Sequence, residues 1–410
     1  MKMRKVTMVL MGVGGYGSSY LEIYRRYADP AELELVGAVD PMAEKSPHFE
    51  WLRERNIPIY DTAEDFYREH SADLAIIATP TLCHKELSIC ALEHGSEVLC
   101  EKPLVPVLQD LEPLRQAVAG SGHQLAVGFQ WSTTPCMVRL KNDACGGRFG
   151  APKRMRTWVS WPRMKSYYTG SSWKGRIADP DGRYILDSIV TNAASHYLHH
   201  IFYMMGKSTG ESAMPREVLA EIYRAKEIET FDTCFLKGSF PGGCEFLYTV
   251  SHSTREDASP RFLYEFEDAS VTYNLKGPAD HILAEYRDGR VEDYGEPLTL
   301  RNQMDKMFVL ADHVRNHTPL TCTLETIRPH LTVSNAIFEL DRVSTFPKEM
   351  LRTEERSGSE LTFVDGLDGN MLQCFEEFRL PSEEGFSWAG PAVPLKLDGY
   401  TAFSGHRFEN

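Results

Sequence analysis

Short apolar runs alternate with amphipathic stretches over the first 129 residues. Val6–Met11, Leu33–Val39, Leu74–Ala78, Glu97–Cys100 and Leu125–Phe129 have the length and character of strands. Between them, Tyr16, Tyr20, Tyr24 and Tyr27 recur at helical spacing, as do His84, Leu87, Ala91 and His94. Continuous apolar strands separated by helices predict a parallel sheet covered on both faces. The rhythm changes near Gly146. Arg154–Trp161 alternates, and Val190–Met205 reads as a helix. Strand-like runs follow at Thr233–Phe240, Cys244–Ser251, Phe262–Glu267 and Ser270–Asn274. Turn signals at Pro241-Gly242-Gly243 and Asp268-Ala269 make antiparallel neighbours the expectation. Helices are predicted at Asn302–Asn316 and Leu324–Arg342. Beyond about Pro347 the periodicity fades among Gly, Pro and charge. No internal repeat is visible.

Composition narrows the class. A chain of 410 residues is long enough for two domains with sizeable cores. Its 42% hydrophobic and 25% charged residues are ordinary for a globular protein. Acidic residues (58) outnumber basic ones (44), for a formal charge of -14, which argues against a nucleic-acid partner. Nine cysteines occur without a C-x-x-C pair, which suits reduced thiols in a cytoplasmic protein better than a disulfide framework. The basic-then-apolar start, Met1–Met11, is too short for a signal peptide, and no stretch approaches the ~20 apolar residues of a membrane span.

The first chemical signal is Gly12-Val13-Gly14-Gly15-Tyr16-Gly17, a G-x-G-x-x-G between a strand and a helix. Such spacing uses Gly12 for a tight turn, Gly14 for backbone approach to a pyrophosphate and Gly17 for close helix packing. The start of the helix offers N–H groups to phosphate. The second strand ends in Val39-Asp40, about where an acidic residue meets the adenosine ribose. Asp40 would accept from ribose hydroxyls and repel a 2′-phosphate, so NAD is expected rather than NADP. The second signal is Glu101-Lys102-Pro103 at the end of a strand, where open α/β sheets bind ligands. A lysine there, beside a cationic nicotinamide, is suited to acid–base work. Without further context a tight loop, a solvated aspartate and a surface Glu–Lys pair would explain both signals.

Taken together and in order, these pieces resemble the Gfo/Idh/MocA oxidoreductases, over about Val6 to Arg342. The loop Ala78-Thr79-Pro80-Thr81-Leu82-Cys83-His84 is similar to the family's T-P-N-x-x-H segment. Val98-Leu99-Cys100-Glu101-Lys102-Pro103-Leu104 matches its signature, and the resemblance implies a cis Lys102–Pro103 bond. Gly128-Phe129-Gln130 with Pro135 resembles G-F-x-x-R-x-x-P, with Ser132 in place of the arginine. The resemblance implies a cofactor site of Gly12, Gly14, Gly15, Tyr16, Gly17, Asp40, Thr79, Pro80, His84, Glu101, Lys102 and Gln130.

The family carries D-x-x-x-H on a helix, with a glycine ten positions after the histidine. Here His196 precedes Gly206 by ten, and Asn192 stands four before His196. The resemblance therefore makes Lys102, His196 and Asn192 the catalytic candidates, with Asn192 replacing the aspartate and orienting His196. Either Lys102 or His196 can be the base. Asp187 is an alternative registration, but Thr191 then takes the histidine's place. Residues four apart on a helix share a face. Trp173-Lys174 resembles the family's W-R pair. The segment Trp158–Arg183 is rich in aromatics and cations, a mixture that suits sugar rings with carboxylates or phosphates and equally suits a subunit interface. Trp173, Lys174, Arg163, Asn192 and His196 are the substrate-site candidates. No metal is expected: His196, His199 and His200 cluster without a ligand pattern.

The expected architecture is a Rossmann α/β domain (1–128), an α+β domain on a mostly antiparallel open sheet (129–345) and an irregular extension (346–410). The resemblance implies that the last helices pack back near the first domain, and that the open sheet face makes a homodimer or homotetramer. The function it implies is NAD(H)-dependent hydride transfer at a hydroxyl carbon of a sugar, sugar acid or cyclitol. A redox-neutral NAD-using glycosidase and a non-catalytic NAD-binding regulator stand as alternatives.

Overall fold

The structure, a computed structural model, describes residues 4–297 and 299–407. It divides into one unit of Met1–Val138 with Leu298–Ile327 and another of Arg139–Pro297 with Arg328–Asn410. The expected division was 1–128, 129–345 and 346–410, whose extreme termini lie outside the described residues. A stretch near residue 300 supplies core to the first unit, and the last stretch supplies core to the second.

The first unit runs β1 (Val6–Met11), α1 (Gly17–Tyr27), β2 (Leu33–Val39), α2 (Phe49–Glu54), β3 (Ile59–Tyr60), α3 (Ala63–Glu69), β4 (Leu74–Ile77), α4 (His84–Glu93), β5 (Glu97–Cys100), α5 (Leu111–Ser121) and β6 (Leu125–Val127). The strands form one parallel sheet in the order β3-β2-β1-β4-β5-β6. That order reverses between β1 and β4, the switch point at which such sheets bind nucleotides. β1 and β4 are buried almost throughout, as continuous apolar strands demand.

The division falls inside α6 (Pro135–Cys145). The second unit continues with β7 (Pro152–Ser160), α7 (Lys165–Thr169), α8 (Ser195–Met204), β8 (Glu217–Arg224), β9 (Thr233–Ser239), β10 (Glu245–Ser251), β11 (Ala258–Phe266), β12 (Ala269–Tyr273), β13 (Ile282–Tyr286) and β14 (Val291–Gly295). Helix α9 (Leu300–Asn316) then returns to the first unit, where Met304, Met307, Leu310, Ala311 and Val314 join the core of β1, β2 and α1. After α10 (Leu324–Phe338) come β15 (Ser344–Thr345), β16 (Leu351–Arg356), β17 (Ser359–Val364), α11 (Leu367–Glu377), α12 (Pro381–Glu384) and β18 (Val393–Pro394).

The large sheet has ten strands in the order β14-β13-β12-β11-β7-β10-β9-β8-β15, with β18 also on β8. Within it β7 pairs parallel with β10 and β15 parallel with β8, and the other neighbours are antiparallel. Successive side chains point to opposite faces. On β10, Phe246 meets Phe202 of α8 at 5.6 Å, and the Tyr248 hydroxyl donates to the Ala194 carbonyl at 2.9 Å. Leu247 points the other way, with Trp158, Tyr223 and Phe235. That face is filled by Val364, Leu367, Met371, Phe375 and Trp388. Arg156 of β7 fastens the cover, donating to the carbonyls of Phe375 and Glu376 at 2.8 Å each.

The extension expected to be irregular is therefore a hairpin and two helices that share a core with the large sheet. Its hairpin turns at Ser357-Gly358, both with positive φ (51° and 76°), the geometry that two-residue hairpin loops use. The face expected to lie open is covered by the chain itself.

Candidate functional site

Each glycine of the first loop has its own physical reason. Gly12 has φ +87°, and a Cβ there would come within 2.7 Å of the Ala78 carbonyl oxygen. A Cβ on Gly17 would lie 1.9 Å from the Gly12 oxygen, so α1 starts against the turn itself. Gly14 is different: a Cβ there meets nothing within 4 Å. The loop is open on that side, where backbone would approach a phosphate. Gly15 turns with φ +45°, and Tyr16 gives α1 no side-chain cap. A helix start without a cap keeps its N–H groups for an anion. The loop thus fits a pyrophosphate.

Asp40 follows β2 at the rim of this loop. Its Oδ2 accepts the Val13 N–H at 2.9 Å and its Oδ1 the Met42 N–H at 2.8 Å. Two backbone donors fix the carboxylate, and each oxygen retains acceptor capacity for a ribose hydroxyl.

Thr79 and Pro80 follow β4, Glu101 and Lys102 follow β5, and Gln130 follows β6, so all stand at the carboxyl ends of adjacent parallel strands. The Lys102–Pro103 bond is cis, as the resemblance implies. His84, the first residue of α4, ties two of these loops together. Its Nδ1 lies 2.9 Å from the Pro103 carbonyl and its Nε2 2.8 Å from that of Thr79. Burial lowers the pKa of this imidazole despite the two carbonyls. The Tyr16 hydroxyl donates to Gln130 Oε1 at 3.5 Å.

Lys306 escaped the sequence reading. From α9 its Nζ pairs with Glu101 Oε1 at 2.5 Å and donates to the Gly128 carbonyl at 3.1 Å. Tyr20 donates to the same Glu101 oxygen at 2.6 Å. A Cβ on Gly128 would lie 2.8 Å from the Glu101 carboxyl, so this glycine makes room for the ion pair. The available signal was a lysine at the edge of an apolar helical stripe, Met304, Met307 and Ala311.

In the second unit α8 begins at Ser195, not Val190, so Asn192 lies in the preceding turn and does not share a helix with His196. Hydroxyl groups explain the late start. Thr191 Oγ1 donates to the Leu186 carbonyl at 2.7 Å and accepts from the Ser188 N–H at 2.9 Å. Such local bonds compete with a helix. The Ala194 N–H reaches back five residues to Ile189, not four. His196 sits in the first turn of α8 and is buried. Gly206, ten residues on, turns the chain: a Cβ there would lie 2.0 Å from the Glu211 oxygen. His200 hydrogen-bonds Tyr264 at 2.8 Å, whereas His199 stacks on Tyr203. The three histidines of α8 thus have separate surroundings.

A shallow recess at the ends of β7 and β10 collects Tyr167, Tyr168, Asp187, Asn192 and His252. Asn192 Nδ2 donates to the Tyr167 hydroxyl at 3.3 Å. Asp187 accepts the Gly175 N–H at 2.6 Å. Lys174 and Arg163 both lie over the Tyr167 ring, and Trp173 flanks Lys174 at 5.6 Å. The structure so brings together three of the substrate-site candidates, Arg163, Lys174 and Asn192, around a tyrosine that the sequence reading had not singled out as a site residue.

Strand order, glycine loop and acidic residue define the first unit as a dinucleotide-binding Rossmann domain. Residues 6–129 match the model of the Gfo/Idh/MocA oxidoreductase family, NAD-binding Rossmann fold. Inositol 2-dehydrogenase 4 of Saccharopolyspora erythraea is 29% identical over 160 residues, 38% of this chain and 45% of the relative. The match thus spans about half that relative's length. Solved structures agree over both units. The WlbA dehydrogenase of Bordetella pertussis, solved with NADH and UDP-GlcNAcA, superposes with TM-score 0.62 at 19% identity over 80% of this chain and 94% of its own. An Agrobacterium radiobacter oxidoreductase, solved with NAD+, L-tartaric acid and magnesium, gives TM-score 0.67 at 12% identity over 81% of this chain and 95% of its own. These likenesses establish the fold, a Rossmann domain with a mostly antiparallel sheet domain. Among the described residues no helix is long and apolar enough to cross a membrane.

Proposed function

We propose that this protein is an NAD-dependent dehydrogenase acting on a CH–OH carbon of a sugar, sugar acid or cyclitol. The observation that carries the reading is the open face of Gly14 beside the fixed carboxylate of Asp40. Loop amides hold the pyrophosphate, and Asp40 accepts from the ribose while repelling a 2′-phosphate. Bound NAD+ supplies a hydride acceptor. Lys102, presented at the end of β5, orients the substrate hydroxyl and stabilises the charge that grows on its oxygen. His196 takes the hydroxyl proton. Asn192 holds the Tyr167 hydroxyl, and Arg163, Trp173 and Lys174 contact the substrate. The names of the relatives support a polyol or sugar as the substrate class.

The test is a panel of sugars, uronic acids and cyclitols with NAD+ and NADP+, read by absorbance of the reduced cofactor. Reduction of NAD+ by at least one of them is expected. Tight cofactor binding with no net reduction across the panel would overturn the dehydrogenase reading in favour of redox-neutral chemistry.

A further inference from the structure

Two cations converge on one ring in the second unit. Lys174 Nζ stands 3.8 Å from the Tyr167 ring centroid, and Arg163 Cζ stands 5.2 Å from it. Arg163 also lies 5.7 Å from the Trp161 ring. Among the described residues neither cation makes an ion pair. Elsewhere the chain pairs even well-exposed arginines, Arg53 with Glu50 and Arg183 with Asp179. The carboxylate that lines the recess, Asp187, is already engaged by the Gly175 N–H. Its charge supports Lys174, but burial and the Arg163 charge prevail, so the ammonium pKa is lowered. His252, behind Tyr167, is driven well below its ordinary range by burial, then by Arg163 and Lys226. Like charges gathered over one ring in partly desolvated surroundings repel one another, and an aromatic face offsets this only in part.

We propose that the surface over the Tyr167 ring, at the rim of this recess, receives an anionic group of the substrate, a carboxylate or phosphate carried on a sugar, between Arg163 and Lys174. This rests on the dehydrogenase reading and narrows it to acidic substrates. The planar guanidinium of Arg163 suits two oxygens of one anion, and Lys174 serves as a point charge. Trp173, 37% exposed, offers an apolar face to the sugar ring beside them. Asn192, held on the Tyr167 hydroxyl, sets the floor of the recess.

The test is calorimetric titration of the full chain, loaded with NAD+, with D-galacturonate, D-glucose 6-phosphate, D-galactose and myo-inositol. At least one acid should bind more tightly than both neutral compounds, and which acid does so separates carboxylate from phosphate. Arg163→Gln and Lys174→Gln should each weaken that acid by about ten- to a hundredfold, the range for losing a charged hydrogen bond. Both variants should weaken the acid more than the neutral compounds, and unaltered thermal midpoints will show that they fold. Raised salt should weaken the acid more than the neutral compounds. Neutral compounds that bind as tightly as the acids, acids that fail to bind, or variants that keep the preference would overturn the proposal. Reduction of the cofactor, read in parallel, keeps the two readings apart. Binding of the acid without reduction supports the anion site while removing the dehydrogenase. Reduction by neutral sugars with no preference for acids does the reverse.

Discussion

Lys306 Nζ lies 2.5 Å from Glu101 Oε1, and the two side chains are 1% and 8% exposed. Burial pushes the ammonium pKa down, but the Glu101 charge and the neighbouring Tyr16 outweigh it and the net shift is upward. The pair anchors the segment that carries Lys102, whose N–H donates to the other Glu101 oxygen at 3.3 Å. Lys306→Ala would leave Glu101 buried without a counter-charge, a change that costs about 3–5 kcal/mol. Urea unfolding should show that loss, and adding Glu101→Gln should recover part of it. Wild-type stability in Lys306→Ala would refute the anchoring role.

Gly14 and Gly17 should separate binding from folding. A methyl on Gly14 meets nothing within 4 Å, whereas one on Gly17 lands 1.9 Å from a backbone oxygen. Gly14→Ala is expected to leave the unfolding free energy within about 0.5 kcal/mol of wild type and to weaken NAD binding about tenfold or more by holding the pyrophosphate away. Gly17→Ala should unfold at lower denaturant. Equal effects of the two substitutions on both measurements would contradict the assigned roles.

Removing the charge of Asp40 should relax cofactor choice. Two unit charges about 4 Å apart interact by ~1 kcal/mol in water and more where water is partly excluded. Asp40→Asn should therefore narrow the preference for NAD over NADP by roughly tenfold. Titration with both cofactors reads it directly, and wild-type protein that binds NADP more tightly would remove Asp40 from the site.

Lys102→Ala and His196→Ala should each lower kcat by about 10²–10⁴-fold, the usual contribution of an acid–base group, while NAD affinity changes little. Unaltered turnover in His196→Ala would return the role to Asp187, the other registration of the motif.

Acid should destabilise the fold through its buried histidines. His199, His200 and His252 all have lowered pKa values from burial, His200 down to about 3 from 6.5. The unfolded chain takes up their protons near pH 6.5, the folded chain only at lower pH. Their stabilising effect is thus complete above 6.5 and declines as the pH falls toward each folded value. The slope is about 1.4 kcal/mol per pH unit for each histidine. Unfolding free energies measured from about pH 8 down to about pH 5 should fall below pH 6.5, less steeply in His200→Gln. A flat profile would mean that these rings are charged in the fold.

The cofactor half of the candidate site is legible in the sequence because its signals are local. A turn, a strand end and a fixed interval to Asp40 lie within one β–α–β stretch, and each demands a particular residue type. Lys306 was not legible, because nothing near it in sequence announces Glu101 as its partner. The start of α8 was misplaced for a similar reason: Val190–Met205 carries a helical apolar pattern, and only the Ser188 and Thr191 hydroxyls reveal the turn. Strands β16 and β17 carry no clear strand pattern because β16 is largely solvent-facing and therefore polar. The Ser357-Gly358 turn was their one local mark.

The cover over the large sheet also has a history in time. Tyr223, Phe235 and Leu247 leave the ribosome well before Val364, Leu367, Phe375 and Trp388, which shield them. In the interval a broad aromatic surface faces water, with nothing yet made to close it. The first unit waits likewise, since β1 and α1 emerge long before Met307 and Leu310 complete their core. Neither half can finish as it is made, strand by strand. Each must hold a partly built sheet until its own closing stretch arrives, the condition in which nascent chains most need chaperones. A ribosome that stalls ahead of Trp388 would thus release a sticky sheet, marked for aggregation or proteolysis.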